Sequence, residues 1–353
     1  VKSPSLPGLL DRLEGVHKVV LFRASRIGDF LCATPAFRAI RLRLPEAQIT
    51  LVGLPFVREI CRRSPCLDRF VPFCGFPGIA EQFFDARRAR RFFGRLQSER
   101  FDLAVQMHGS GVYSNTVALM FGARATAGFV REGDGPGRLD AALTMPSCGH
   151  EAKRLLSLAT FLGTPDPGTE TEFPLTVADR ERADALLRGK DRPLIGIHVW
   201  ARKAEKRWPI DRFVETARQL RGQFGGTVVV LGGREDLPTG KGLVRDVGHP
   251  CLDLTGRTTV PVLGAVLGCL SVLLTNDSGP AHVAYALKCP TVTIFGETDP
   301  VRWGPGSPGP FRAVRRVLPC SPCPEDSCGS DYACLRSLTV EQVVNAARQV
   351  MKP

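Results

Sequence analysis

Val19-Val-Leu-Phe22, followed at once by Arg23-Ala-Ser-Arg-Ile-Gly-Asp29 and then by a helical stretch over Pro35–Leu44, decides the fold class. A short, wholly apolar run, a polar turn carrying a glycine and a helical pattern make up one βα unit, and such units repeat in α/β proteins with parallel sheets. The unit recurs. Ile49-Thr-Leu-Val52 and Leu103-Ala-Val105 read as further buried strands of the first half. After the Pro/Gly/Thr-rich stretch Gly163-Thr-Pro-Asp-Pro-Gly-Thr169 the cycle restarts, with strands at Leu194–His198, Thr227–Leu231, Val272–Thr275 and Thr291–Phe295. Helices are expected at Asp211–Phe224 and Pro280–Leu287 between them. Two doubly wound domains follow: residues 1–165, a linker over 166–192, and residues 193–338. A last helix, Thr339–Val350, lies in a 339–353 tail that could cross back to the first domain.

The chain has 353 residues, about right for two domains of ordinary size. With 43% hydrophobic and 23% charged residues it can bury two cores, which excludes a disordered or fibrous chain. Its opening, VKSPSLPGLLDRLEG, has no basic segment followed by an apolar one, so no signal peptide is expected and secretion is not. Thr258 to Asn276 is free of charge, but Pro261, Gly264 and Gly268 interrupt it; a helix followed by a buried strand fits better than a membrane span.

Net charge is +12, which points to an anionic partner. The excess is uneven, +9 over residues 1–165 and +3 over 166–353. No nucleic-acid-binding motif accompanies it. The densest run is Phe83-Phe-Asp-Ala-Arg-Arg-Ala-Arg-Arg-Phe-Phe-Gly-Arg95, in which five arginines stand among four phenylalanines. As a helix it would suit an anionic membrane surface. The plainer alternative is a solvated arginine face with the phenylalanines packed inward.

Doubly wound sheets bind ligands outside the C-terminal ends of their strands. The residues at those ends are therefore the candidates. Leu274-Thr-Asn-Asp-Ser-Gly-Pro-Ala-His282 runs from a strand into a helix whose first backbone N–H groups, around Ser278 and Gly279, can hold a phosphate. A plain cap by Asp277 or Ser278 is the competing reading. Glu235, after the Gly232-Gly233 turn, is placed to accept from ribose hydroxyls, with Asp236 an equal choice.

Three stretches resemble glycosyltransferase family 9, the ADP-heptose:lipopolysaccharide heptosyltransferases. They are Leu21–Ile40, Lys206-Arg-Trp-Pro209, and Asn276–Leu287 continuing through Pro290–Pro300 to Arg302-Trp-Gly-Pro305. The resemblance implies a GT-B fold, two Rossmann-like doubly wound domains facing across a cleft. It also implies inverting transfer of heptose from ADP-heptose to an anionic lipopolysaccharide inner-core acceptor such as Kdo-lipid A. The expected setting is the cytoplasmic face of the inner membrane, to which the protein would be peripheral, and the expected state is a monomer. Asp29 falls where the family's catalytic Asp lies and would take the acceptor proton; capping of a helix starting near Phe30 is its other reading. Lys206 would balance charge on the leaving diphosphate. Asp277, Ser278, Gly279, His282, Glu235 and Gly232 would hold the donor, and Arg23, Ser25, Arg26 and Gly28 the acceptor. With no Asp-x-Asp pair in view, no cofactor is expected for catalysis. Where relatives carry small hydroxyl residues, this chain has Trp200-Ala-Arg-Lys203. That departure leaves open a GT-B transferase for another nucleotide sugar or for a protein acceptor; a different class again would be a non-catalytic nucleotide or nucleic-acid binder.

Of 12 cysteines, the last four, Cys320, Cys323, Cys328 and Cys334, are spaced closely enough to close a structural zinc or iron site. Free or partly oxidised thiols are the alternative.

Overall fold

A computed structural model describes residues 8–79, 82–321 and 328–351. It divides into two units, Val1–Glu172 and Phe173–Pro353. The first holds a parallel six-stranded sheet built from β1 (Lys18–Arg23), β2 (Gln48–Gly53), β3 (Arg69–Pro72), β4 (Leu103–Gln106), β5 (Ala125–Val130) and β6 (Ala141–Thr144), in the order β3-β2-β1-β4-β5-β6. The second repeats the plan with β7 (Leu194–His198), β8 (Thr227–Val230), β9 (Cys251–Asp253), β10 (Val272–Asn276), β11 (Thr291–Phe295) and β12 (Phe311–Arg315), ordered β12-β11-β10-β7-β8-β9. Both orders are the doubly wound one. Each sheet therefore has a switch point, β1/β4 in one and β7/β10 in the other, where successive crossovers leave in opposite directions and open a crevice.

The central strands are buried on both faces, which is why they read as unbroken apolar runs. The charge-free stretch from Thr258 resolves as expected into a helix, Val260–Cys269, and β10. The helix after β1 differs from expectation. It runs over Ile27–Arg43 and encloses Pro35 instead of starting there. Proline at that point removes the N–H that would bond the carbonyl of Leu31. The Thr34 hydroxyl donates to that carbonyl instead, at 2.8 Å, and accepts from the Glu172 N–H at 3.0 Å. Arg38 of the same helix pairs with Glu172 and donates to the Glu170 and Gly168 carbonyls, fastening the end of the first unit to its own helix.

Residues 166–192 are accordingly not one linker. Only the part up to Glu172 lies with the first unit; Val177–Leu187 is a helix with a Thr176/Asp179 capping box, packed on Val260–Cys269. Phe173 sits so close to Gly264 that a Cβ there would fall 2.3 Å from its ring. The last helix, Val340–Val350, also stays with the second unit. Val343, Val344 and Ala347 join Trp208, Phe213 and Ile294 in one apolar core, against the Ile210–Phe224 helix and β12.

All three tryptophans, Trp200, Trp208 and Trp303, lie in the second unit, so their emission reports on it alone. Val343→Asp puts an uncompensated carboxylate into that core and is expected to cost the second unit about 3–5 kcal/mol. In a urea titration the tryptophan transition should move to lower denaturant, with part of the far-ultraviolet dichroism surviving it. An unmoved tryptophan transition would place the helix elsewhere.

Candidate active site

At the first switch point, β1 ends in Arg23 and the chain turns through Ala24-Ser25 to Arg26, the extended N-cap of the Ile27–Arg43 helix. No side chain caps this end. Asp29 therefore does not have the capping role that the sequence left open; it lies within the first turn, where the helix dipole favours a carboxylate, with its side chain 36% exposed. Arg23 holds it. One guanidinium nitrogen donates to the Met107 carbonyl at 2.6 Å, and the other donates to the Asp29 carbonyl at 3.2 Å and lies 3.4 Å from Oδ1. That nitrogen is also 3.6 Å from Glu151, which pairs at 2.7 Å with Arg154.

Arg23 is only 3% exposed; its two terminal nitrogens meet Met107, Asp29 and Glu151, while its Nε has no partner among the described residues, so the side chain packs beside Asp29. Arg26 is exposed and Gly28 buried. Ser25 is buried with its Oγ unpartnered among the described residues, an orphan hydroxyl at the strand end beside Asp29's helix. His108, just past β4, lies at a strand end but has no role assigned from the sequence. Burial, with Arg23's positive charge second, pushes its imidazole down to about 4, and its Nδ1 has no partner among the described residues.

At the second switch point the side chain of Asn276, fully buried at the end of β10, donates to the Val199 carbonyl at 2.7 Å and accepts from the Trp208 N–H at 3.0 Å. The Trp208 ring is buried and donates to the Leu338 carbonyl at 3.2 Å. The loop after β7 is thus pinned on both sides of Lys206. Lys206 Nζ meets Asp277 Oδ2 at 2.7 Å, the Thr298 hydroxyl donates to the same oxygen at 2.7 Å, and His282 Nε2 lies 3.9 Å from Oδ1. Asp277 is 4% exposed. One oxygen of its carboxylate, Oδ2, thereby holds both Lys206 and Thr298.

Ser278 precedes the Gly279–Ala286 helix, whose N-terminus no side chain caps. Its hydroxyl faces His198 Nδ1 at 3.4 Å and Thr275 Oγ1 at 3.2 Å instead. The capping alternative for Asp277 and Ser278 is not realised; Pro280 has no N–H and the Ala281 N–H bonds the Ser278 carbonyl, so of the helix's first residues Gly279 has an amide without a partner among the described residues. His282 is mostly buried, edge-on to Tyr285 and Trp303, so it is a packed residue as well as a neighbour of Asp277. Glu235 is exposed, whereas Asp236 accepts from the Gly233 N–H at 2.8 Å and is raised by burial, which separates two residues the sequence could not. Gly232 has a packing reason of its own. A Cβ there would lie 2.6 Å from the Trp200 ring, so the departure at Trp200 is accommodated beside the end of β8.

Sequence reasoning reaches the strand ends that carry Thr298, His198, Thr275 and Asn276 in the second unit without assigning those residues a role, and misses Glu151 and Arg154 in the first. His198 and Asn276 carried a signal, since both end strands at a switch point; Glu151, 122 positions after Asp29, carried none. The cysteine expectation fares differently. Cys320 and Cys328 approach Ser330 Oγ at 3.8 and 3.6 Å, and bonds from Ser330 and the Tyr332 N–H pull the Cys328 thiol down. Cys334 is buried in the core and pushed up. Cys323 lies outside the described residues, and among those described no cluster of three His, Cys, Asp or Glu side chains could hold a metal ion.

Two doubly wound units, each with polar and charged groups at its switch point, are the GT-B architecture. The sequence profile "Glycosyltransferase family 9 (heptosyltransferase)" matches residues 89–332, and the chain belongs to that family. Lipopolysaccharide heptosyltransferase 2 of Salmonella typhimurium is 24% identical over 299 residues, covering 80% of this chain and 84% of that protein. Lipopolysaccharide heptosyltransferase 3 of Escherichia coli K12 is 26% identical over 290 residues, covering 79% and 82%. Among solved structures, a family 9 glycosyltransferase from Veillonella parvula superposes with a TM-score of 0.81 at 21% identity, covering 95% of this chain and 97% of that one. The Escherichia coli ADP-heptose lipopolysaccharide heptosyltransferase II gives 0.75 at 22% identity, covering 94% and 98%.

His198 supplies a pH test. Burial pushes it down from 6.5 to about 4, so between those values the unfolded chain binds the proton and the folded one does not. Stability is complete above about pH 6.5 and is lost as pH falls, by about 2 kcal/mol per such histidine from pH 7 to pH 5. Urea titrations followed by tryptophan emission should show this loss, and His198→Asn should flatten it. An unchanged slope would mean that His198 is not held neutral.

Proposed function

We propose that this glycosyltransferase moves a heptose from ADP-heptose to a hydroxyl of an anionic inner-core lipopolysaccharide acceptor, with inversion, at the cytoplasmic face of the inner membrane. The observation that carries the reading is the pairing of Lys206 with the buried Asp277 beside the uncapped Gly279–Ala286 helix. A fixed ammonium and free helix amides are what a leaving diphosphate requires. The names of the relatives, heptosyltransferases of lipopolysaccharide, support the donor and acceptor classes.

Each unit supplies one half of the chemistry. Asp29, oriented by Arg23 but still open to solvent, takes the proton of the attacking acceptor hydroxyl. The new bond forms at the anomeric carbon as its bond to the diphosphate breaks, through an oxocarbenium-like transition state. Negative charge grows on the departing ADP and is met by Lys206 and by the amides at Ser278 and Gly279. Lys206 thus provides the charge for which other transferases use a metal ion. Glu235 accepts from the ribose hydroxyls, and Ser25, Arg26 and Gly28 receive the acidic acceptor. Trp200, against Gly232, shapes the donor side where relatives carry smaller groups.

Asp29→Asn keeps the geometry and removes the base. Turnover is expected to fall at least about 100-fold, while ADP still raises the melting temperature. Lys206→Ala should weaken both turnover and the ADP shift. Unaltered turnover in Asp29→Asn would remove Asp29 as base, and a melting shift given by UDP or GDP and not by ADP would overturn the donor.

A further inference from the structure

The Ala86–Ser98 helix and the two residues ahead of its cap form a surface that the transfer chemistry does not use. Its inner side is packed: Ala89, Phe93 and Leu96 are buried in the first unit's core, with Phe92 half-buried. Its outer side is a row of charge. Arg87, Arg91 and Arg95 follow one another at helical spacing and are exposed, and Arg90 stands at their flank. Arg87, Arg90 and Arg91 make no hydrogen bond or ion pair with any described residue. The acid within the segment, Asp85, is spent on the helix cap, accepting from the Arg88 N–H at 2.6 Å.

Arg88 is turned inward and ties the preceding loop to the helix, donating to the carbonyls of Cys74 and Phe83. Gly75 lets that loop close, since a Cβ there would fall 2.4 Å from the Phe83 carbonyl oxygen. The backbone of Phe83 is therefore anchored while its side chain stands 86% exposed. Phe84 beside it lines an apolar groove of about 540 Å³ together with Phe76, Ala89, Phe93 and Met120, with Arg90 at the rim. An anchored, solvent-facing phenylalanine next to an apolar groove and a row of unpaired arginines matches the two layers of a bilayer interface, anionic headgroups above apolar chains.

We infer that this helix and Phe83–Phe84 dock the protein onto an anionic phospholipid bilayer, the phenylalanines entering the interface and Arg87, Arg91 and Arg95 lying on headgroup phosphates. The inference deepens the membrane-surface part of the proposed function and rests on it. Its test reads lipid binding and sugar transfer separately, so that each can fail alone.

The experiment is co-sedimentation of the full chain with phosphatidylcholine vesicles, with and without about one third phosphatidylglycerol. Binding is expected with the anionic vesicles only and should weaken with salt. Each arginine lost should lower the partition constant about fivefold, so R87Q/R91Q/R95Q should lower it about 100-fold. Phe83→Ser should lower it about tenfold. A charge-matched control, R182Q/R188Q/K190Q on the second unit, should bind nearly as the parent does. Dichroism melts verify that the variants are folded, and transfer to a delipidated, water-soluble acceptor should be unchanged in all of them. Four results would overturn the inference: no vesicle binding, binding indifferent to anionic lipid, equal losses in the control, or a triple variant that binds vesicles normally but loses transfer to the soluble acceptor or loses binding to single-stranded RNA.

Discussion

A carboxylate buried at the end of a central strand must be paired, because an isolated charge there costs far more than the fold can offset. Asp277 is in that position, and Lys206 and the Thr298 hydroxyl satisfy it. The requirement ties three segments that are distant in sequence: the loop after β7, the end of β10 and the loop after β11. Asn276 sews the first two together again through Val199 and Trp208. The ammonium group is consequently held before any ligand arrives, and a charge fixed in advance stabilises a developing anion without a further cost of reorganisation. Removing the Asp277 carboxylate would release Lys206 to solvent as well as leaving Thr298 without its acceptor.

The first unit solves a related problem with the opposite outcome. The two terminal nitrogens of Arg23, buried at the end of β1, meet the Met107 carbonyl, Asp29 and Glu151, which in turn is held by Arg154. Here the buried member of the pair is the cation and the carboxylate is the partner left half in solvent. The two aspartates, both just beyond strands at switch points, are therefore not equivalent. Asp277 is 4% exposed and holds both Lys206 and Thr298 through one oxygen; Asp29 meets Arg23 at the long distance of 3.4 Å and is 36% exposed.

The same physics explains what could be read in the sequence. Central parallel strands are buried on both faces, so β1, β2, β4, β7, β8, β10 and β11 stand out as apolar runs. β3, β9 and β12 lie towards the sheet edges, are short or half-buried and mix charged residues in, while β5 and β6 are rich in alanine; all five lacked that signal. Local motifs gave Asp29, Lys206 and the Asn276–His282 segment because each sits within a few residues of its strand end. Glu151 and the roles of Thr298 and Arg23 were illegible, since each is defined by a partner brought near only by the fold. The start of the Ile27–Arg43 helix was misjudged for a related reason: Pro35 looks like a first-turn residue until Thr34 is seen occupying the carbonyl it leaves unpaired.

Net charge shows the same dependence on partners. The +9 of residues 1–165 invites a picture of a basic face, yet much of it is internal structure. Arg23 and Arg154 are buried with Glu151, Arg38 pairs with Glu172, Arg41 with Asp68, Arg43 with Asp11 and Arg69 with Glu99. Arg41 also donates to the Pro45 and Ala47 carbonyls, so its work is to close a turn. An arginine whose guanidinium is saturated by protein oxygens attracts an outside anion little, because the field it projects is largely cancelled at contact range and the remainder is screened within about 8–10 Å. What a partner meets is the uncompensated remainder, and among the described residues three such side chains, Arg87, Arg90 and Arg91, stand on one helix. A sequence-wide count therefore overstates the charge open to an anionic partner, whereas in the segment Phe83–Arg95 the guanidinium groups of Arg87, Arg90 and Arg91 are exposed, unpaired among the described residues and set beside an apolar groove.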